Sequence, residues 1–363
     1  MRKSYLDNIR WITALLVVFY HVIYMFNGIQ TAGIIGPLSQ GTQYQDLFQY
    51  IVYPWFMVLL FVVSGMTARY YLERHTHREF IRSRSIKLLV PSTIGLFVFQ
   101  WILGYFTMLL GGAFQQMAAV PKPVLYLIMC ASGIGPLWYI QLLWVFSLAL
   151  VLIRKLEKDR LYSLCGRANT AVLISLTIVI WASAQVLNTP VIVVYRFGIY
   201  GAAFLIGYFV LSQESVMEKL ERAWLPLTVA ALLLMVSFCA VYWQQPYAEH
   251  SVLDTPLCNA YCWIAVLAIL SFMHRFGNFE GGFSRFMNRQ AWGLYIFHYL
   301  PLAACAWFLR DKAGVLPAAM IYLLTAIAAF GGAFILNAVI SRIPVLRWCV
   351  LGIQRKKGKR DVL

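Results

Sequence analysis

Three side chains near the start of the chain could do chemistry together: Asp7, Arg10 and His21. At about 100° per residue, the step from Arg10 to His21 carries a helix roughly 20° past three full turns and about 16 Å along its axis. Asp7 lies one turn below Arg10 on the same face, and Ala14 and Val17 lie between Arg10 and His21. The strip is charged at one end, small-sided in its middle and capped by an imidazole. A neutral imidazole that titrates near pH 7 is what general-base catalysis uses. Two readings of His21 stand at this stage: such a base, or a core histidine bonded to a neighbouring helix. Arg10 also has two, an anion site or a side chain reaching lipid headgroups from the helix end.

The elements that hold this strip follow from composition. Of 363 residues, 61% are hydrophobic and only 12% are charged, and the mean hydropathy is +0.71. Soluble domains run about 45–50% apolar and about 25% charged, so a soluble enzyme and a disordered chain are both excluded. Ten apolar blocks approach the roughly 20 residues that cross a bilayer core: residues 9–28, 47–68, 88–110, 136–153, 170–187, 196–211, 223–243, 257–274, 291–309 and 317–340. The expected fold is all-α, a polytopic bundle of about ten transmembrane helices with both termini cytoplasmic. On that count only Lys122, Arg196, Arg310 and Lys312 of the 30 lysines and arginines fall outside, which is the positive-inside pattern. Residues 1–345 form one transmembrane domain and 346–363 a basic tail. Its run Arg355–Arg360 reads as an anchor on anionic lipid rather than as a nucleic-acid site. Residues 123–132 are apolar but too short to span, and read as interfacial or re-entrant.

Ionisable groups inside spans are rare and usually functional. His298 lies in the ninth block, with a structural bond or a second active-site role equally open. Arg196 starts the sixth block on the outer side, where it could meet an acidic ligand or a lipid headgroup. The cytoplasmic loop after the second block carries Arg82, Arg84 and Lys87. No CxxC pair or Cys/His cluster occurs, so neither a metal site nor a disulfide framework is expected.

Several segments together resemble the membrane acyltransferase family 3. Asp7-x-x-Arg10, ten residues and then His21 is similar to its signature. Phe61-Val62-Val63-Ser64-Gly65 is similar to its phenylalanine-rich segment closing in Ser-Gly. Arg82-Ser83-Arg84-Ser85-Ile86-Lys87-Leu88-Leu89-Val90-Pro91 is similar to its basic motif, with Lys87 where arginine is usual. Pro136-Leu137-Trp138-Tyr139-Ile140 and Trp292-Gly293-Leu294-Tyr295-Ile296-Phe297-His298 resemble its leucine-tryptophan and penultimate-helix segments. The resemblance implies an O-acyltransferase that takes an acyl group, acetyl in the first instance, from cytoplasmic acyl-coenzyme A. It passes that group to a hydroxyl of a cell-surface or exported carbohydrate. His21 would be the general base, acting with Arg10, and Arg84, Lys87 and Arg82 would bind the donor. Asp7, Trp138, Tyr295, His298 and Arg196 are supporting candidates. No serine or cysteine stands at a nucleophile motif, so direct transfer is expected. The expected setting is the bilayer of a bacterial inner or plasma membrane, with no bound cofactor. The alternative is a transporter of a glycolipid or small amphiphile, with His21 as a proton relay.

Overall fold

The computed structural model describes residues 3–29, 33–189, 193–312 and 314–354. The chain is 79% helical, with no strand among the described residues. Its main helices are α1 (Ser4–Tyr24), α2 (Leu47–Leu72), α3 (His77–Leu110, with breaks), α4 (Lys122–Ser132), α5 (Trp138–Glu157), α6 (Thr170–Ala184), α7 (Phe197–Leu211) and α8 (Glu214–Arg222). They continue as α9 (Trp224–Tyr242), α10 (Pro256–Phe276), α11 (Gly282–Phe297), α12 (Tyr299–Leu309), α13 (Ala318–Arg342) and α14 (Pro344–Leu351).

Seven helices among the described residues are long and apolar enough to cross a membrane, and up to nine if the bent pairs α7–α8 and α11–α12 each count as one span. The apolar blocks of the sequence predict ten. The shortfall is α6, which has 15 residues where a bilayer core takes about 20. The short apolar stretch before α5 is the 11-residue α4, packed along the last turns of α3. Arg355–Arg360 lies outside the described residues, and α14 before it packs on α3.

α2 and α10 are the most enclosed spans, whereas α9 and α13 turn most of their surface outward. α1 lies inside the bundle, touching α2, α10, α11 and α13. That placement follows from its sequence. Asn8 is buried and donates to the Gly277 carbonyl at 2.7 Å and the Phe279 carbonyl at 2.9 Å, pinning α1 to the turn between α10 and α11.

Two pairs of glycines set the closest approaches. A Cβ on Gly65 of α2 would collide with the Phe204 carbonyl of α7, and one on Gly207 of α7 would collide with the Val62 carbonyl. Gly104 of α3 and Gly133 after α4 stand in the same reciprocal relation to the Met129 and Gln100 carbonyls. Small residues serve this purpose where lipid removes the usual hydrophobic drive between helices.

Prolines break the helices that carry the candidate site. Pro91 lacks the N–H that would bond the Lys87 carbonyl, and Ser85–Leu89 widens into a π-helical turn around Lys87. Pro301 likewise leaves the Phe297 carbonyl without its helical partner. α11 and α12 meet there at 53°, with His298 at the joint.

The glycine contact is testable. Gly65→Ala should destabilise the purified protein by about 1–3 kcal/mol through overpacking. Gly331→Ala, where a Cβ meets nothing within 4 Å, should leave the unfolding temperature unchanged or raise it. Equal losses at both sites would contradict the account.

Candidate active site

One end of the α1 strip is a cluster of charges. Asp7 Oδ1 lies 3.3 Å from the Arg10 guanidinium. Arg10 also donates to Thr67 Oγ1 at 2.6 Å, and Thr67 in turn donates to the Val63 and Ser64 carbonyls. This ties Arg10 to the last turns of α2. Arg84 and Lys87 from α3 lie within electrostatic range of Arg10. Arg84 packs 5.1 Å from the Phe80 ring centre, and the Lys87 ammonium lies 5.0 Å from that of Trp292. Three cations from two helices therefore repel one another, and an anion among them would turn that repulsion into attraction. Arg82 is exposed. It sits two residues from Arg84, about 200° round the helix, and so does not join the group.

Toward the other end of the strip, His21 meets His298. Nδ1 of His21 lies 2.8 Å from the Val17 carbonyl and 3.1 Å from Nε2 of His298. Nδ1 of His298 lies 3.0 Å from the Leu294 carbonyl and 2.9 Å from the Tyr295 carbonyl. Carbonyl oxygens only accept, so each Nδ1 carries the proton when the rings are neutral. His298 Nε2 is then an acceptor, shared with the Val17 carbonyl for the single Nδ1–H of His21. His21 Nε2 has no hydrogen-bond partner among the described residues and keeps its lone pair. The His298 side chain is fully buried, whereas His21 retains some exposure.

Other motif residues build the walls. The Tyr295 hydroxyl donates to the Pro136 carbonyl, joining α11 to the start of α5. Tyr139 Oη pairs with Ser64 Oγ at 2.8 Å, joining α5 to α2. Trp138 is half-buried, with its ring 5.4 Å from that of Tyr200 and 6.4 Å from that of Phe61. Tyr299 meets the His21 ring edge-on at 4.9 Å, and Tyr20, next to His21, stacks against Tyr24 one turn on in α1 and against Tyr53 of α2. Arg196 stands elsewhere. It is buried against Asp254 at 3.0 Å and the Leu253 carbonyl at 3.2 Å, with His250 on the second Asp254 oxygen. The pairing makes it an internal tie between α7 and the segment before α10.

The sequence carried no signal for Thr67, whose role depends on α2 passing Arg10, or for Tyr299, which the bend at His298 turns toward His21. The tautomers are testable. In protein labelled with ¹⁵N-histidine and assigned with His21→Gln, neutral His21 should show protonated Nδ1 and unprotonated Nε2. A protonated Nε2 on neutral His21 would contradict the geometry.

The acyltransferase domain family matches residues 3–338, nearly the whole chain and all five of the motifs quoted from the sequence. No curated protein and no solved structure matches the chain. The chain is a multi-pass helical bundle and belongs to membrane acyltransferase family 3.

Proposed function

We propose that the protein transfers an acyl group, acetyl in the first instance, from acyl-coenzyme A to a hydroxyl of a cell-surface or exported carbohydrate. In this reading the donor enters from the face that carries the N-terminus, and the excess of lysine and arginine in the segments flanking the first spans supports a cytoplasmic location for it. The observation that carries the reading is the strip itself. It begins at Arg10, Arg84 and Lys87 and ends at a histidine with an oriented ring and one nitrogen that has no partner among the described residues.

The chemistry follows from that order. The acceptor hydroxyl attacks the thioester carbonyl, forming a C–O bond while the C–S bond breaks. Its proton passes to His21 Nε2 and then to the departing thiolate, which leaves as the free thiol. The imidazolium formed in between is stabilised by two acceptors at Nδ1–H, the Val17 carbonyl and His298 Nε2. His298 is a positioning residue in this scheme: it fixes the His21 tautomer without touching the reacting atoms. Arg10 lies about 16 Å along α1 from His21. It therefore suits the donor's phosphates and is too distant to polarise the thioester carbonyl.

A transporter would consume no thioester. Purified protein given acetyl-coenzyme A and a crude carbohydrate pool should release coenzyme A, and thioester consumption no higher than without protein would reject the reading. His21→Ala should lower the rate by about 100- to 10,000-fold while the protein still purifies in a folded state. His298→Ala should reduce kcat by roughly tenfold to a hundredfold with little change in donor KM. Arg84→Ala should raise donor KM more than it lowers kcat, because phosphate contacts serve ground and transition states alike. An unchanged KM with a depressed kcat would remove Arg84 from donor binding.

A further inference from the structure

A polar cleft of about 230 Å³ opens between the first turn of α1 and the first turns of α11. It is smaller than the pockets of about 300–1,000 Å³ that enclose a drug-sized ligand, so it fits a fragment rather than a whole cofactor. Asp7 contributes to one wall, and Ser284, Arg285, Asn288 and Arg289 to the facing wall, with Phe279 beside them. Arg285 and Arg289 are four residues apart and so share a face of α11. Neither has an ion-pair or hydrogen-bond partner among the described residues, and both are exposed. Phe279 offers an exposed ring, 46% accessible, where a flat base could stack.

The position of the cleft is as informative as its lining. Asp7 belongs to it and also pairs with Arg10. The order along α1 is therefore cleft, cation cluster, small-sided strip and His21, with about 21 Å from Asp7 to His21. An acyl-coenzyme A molecule has the same order: 3′-phosphoadenosine, diphosphate, a thin arm and the thioester.

We propose that this cleft takes the 3′-phosphoadenosine end of the donor, with Arg285 and Arg289 on the 3′-phosphate and Phe279 against the adenine. The inference rests on acyl-coenzyme A being the donor, as proposed above. Asp7 repels a phosphate, as does Glu280 beside it, and so directs that group toward α11. Asn288 presents its amide for the base or ribose, with its Nδ2 3.4 Å from Ser284 Oγ. The chemistry recognised is a phosphomonoester, and a phospholipid headgroup at the membrane surface could supply the same group.

The test uses the full-length protein in nanodiscs of phosphatidylcholine, with adenosine 3′,5′-bisphosphate and adenosine 5′-monophosphate as probes. A charge-assisted contact is worth roughly tenfold to a hundredfold in affinity. The bisphosphate should bind tighter than the monophosphate by about that factor, and Arg285→Ala/Arg289→Ala should abolish the preference. Arg285→Lys/Arg289→Lys should restore part of it. Thermal unfolding of each variant, and Arg289→Gln alone, separate loss of the site from loss of the fold. A preference that survives in the double alanine variant overturns the proposal. So does the absence of any preference in the unaltered protein, including the case where the arginines instead govern binding of phosphatidic acid added to the nanodisc. The kinetic counterpart compares acetyl-coenzyme A with its 3′-dephospho form, and the ratio of their kcat/KM values should collapse toward one in the double variant. Failure to consume any thioester would reject the function above, while the nucleotide preference would still decide the cleft.

Discussion

The contact between His21 and His298 depends on a missing hydrogen-bond donor. Pro301 cannot bond the Phe297 carbonyl, α11 and α12 part at 53°, and His298 sits at the joint. Its Nδ1 lies within hydrogen-bond distance of both the Leu294 and Tyr295 carbonyls, and its Nε2 faces His21. Without the bend, a fully buried imidazole on α11 would need some other acceptor or donor, because an unsatisfied polar group in a lipid-surrounded interior costs several kcal/mol. The pair gives both His298 nitrogens a partner and leaves His21 Nε2 without one among the described residues.

The same constraint organises the charged end. Within the bundle an arginine must meet a partner, and the partners differ by role. Arg69 is held by Glu73, by Asp159 at 2.6 Å and against the Tyr162 ring at 3.6 Å. Arg196 is held by Asp254. These two are fixed by the protein's own carboxylates and serve as ties between segments. Arg10, Arg84 and Lys87 are arranged differently: they lie within reach of one another's charge, Arg10 pairs with Asp7, and Arg84 and Lys87 rest over the rings of Phe80 and Trp292. The π-helical turn that Pro91 imposes at Ser85–Leu89 is part of that arrangement, because it sets the direction in which Lys87 leaves α3.

How much of this was legible in the sequence varies with the kind of contact. The strip from Asp7 through Arg10 to His21 was legible because residues on one helix face repeat with a known period. Membership of an all-helical membrane bundle was legible from composition alone. Arg82 and Arg84 read as one motif because they are neighbours in sequence, yet two residues on a helix point to nearly opposite sides. Thr67 under Arg10, Asp254 beside Arg196 and His298 against His21 join residues 57 to 277 positions apart, and no local pattern encodes such pairings. The shortness of α6 was hidden because its apolar run continues past the point where the helix ends at Ala184. Arg285 and Arg289 registered only as cytoplasmic charge, since the cleft they line exists only where the turn after α10 is pinned to Asn8.

As proposed, the chain binds the acyl donor from its N-terminal face and, with His21 as base, transfers the acyl group directly to a hydroxyl reached from the opposite face. Proteoliposomes of uniform orientation test it most directly, with acetyl-coenzyme A labelled in the acetyl group supplied only to the N-terminal face and a carbohydrate acceptor pool trapped on the other. Label should appear on the trapped carbohydrate with the unaltered protein and fall at least a hundredfold with His21→Ala. Label that stays on coenzyme A, or transfer that proceeds equally well without His21, would contradict the account.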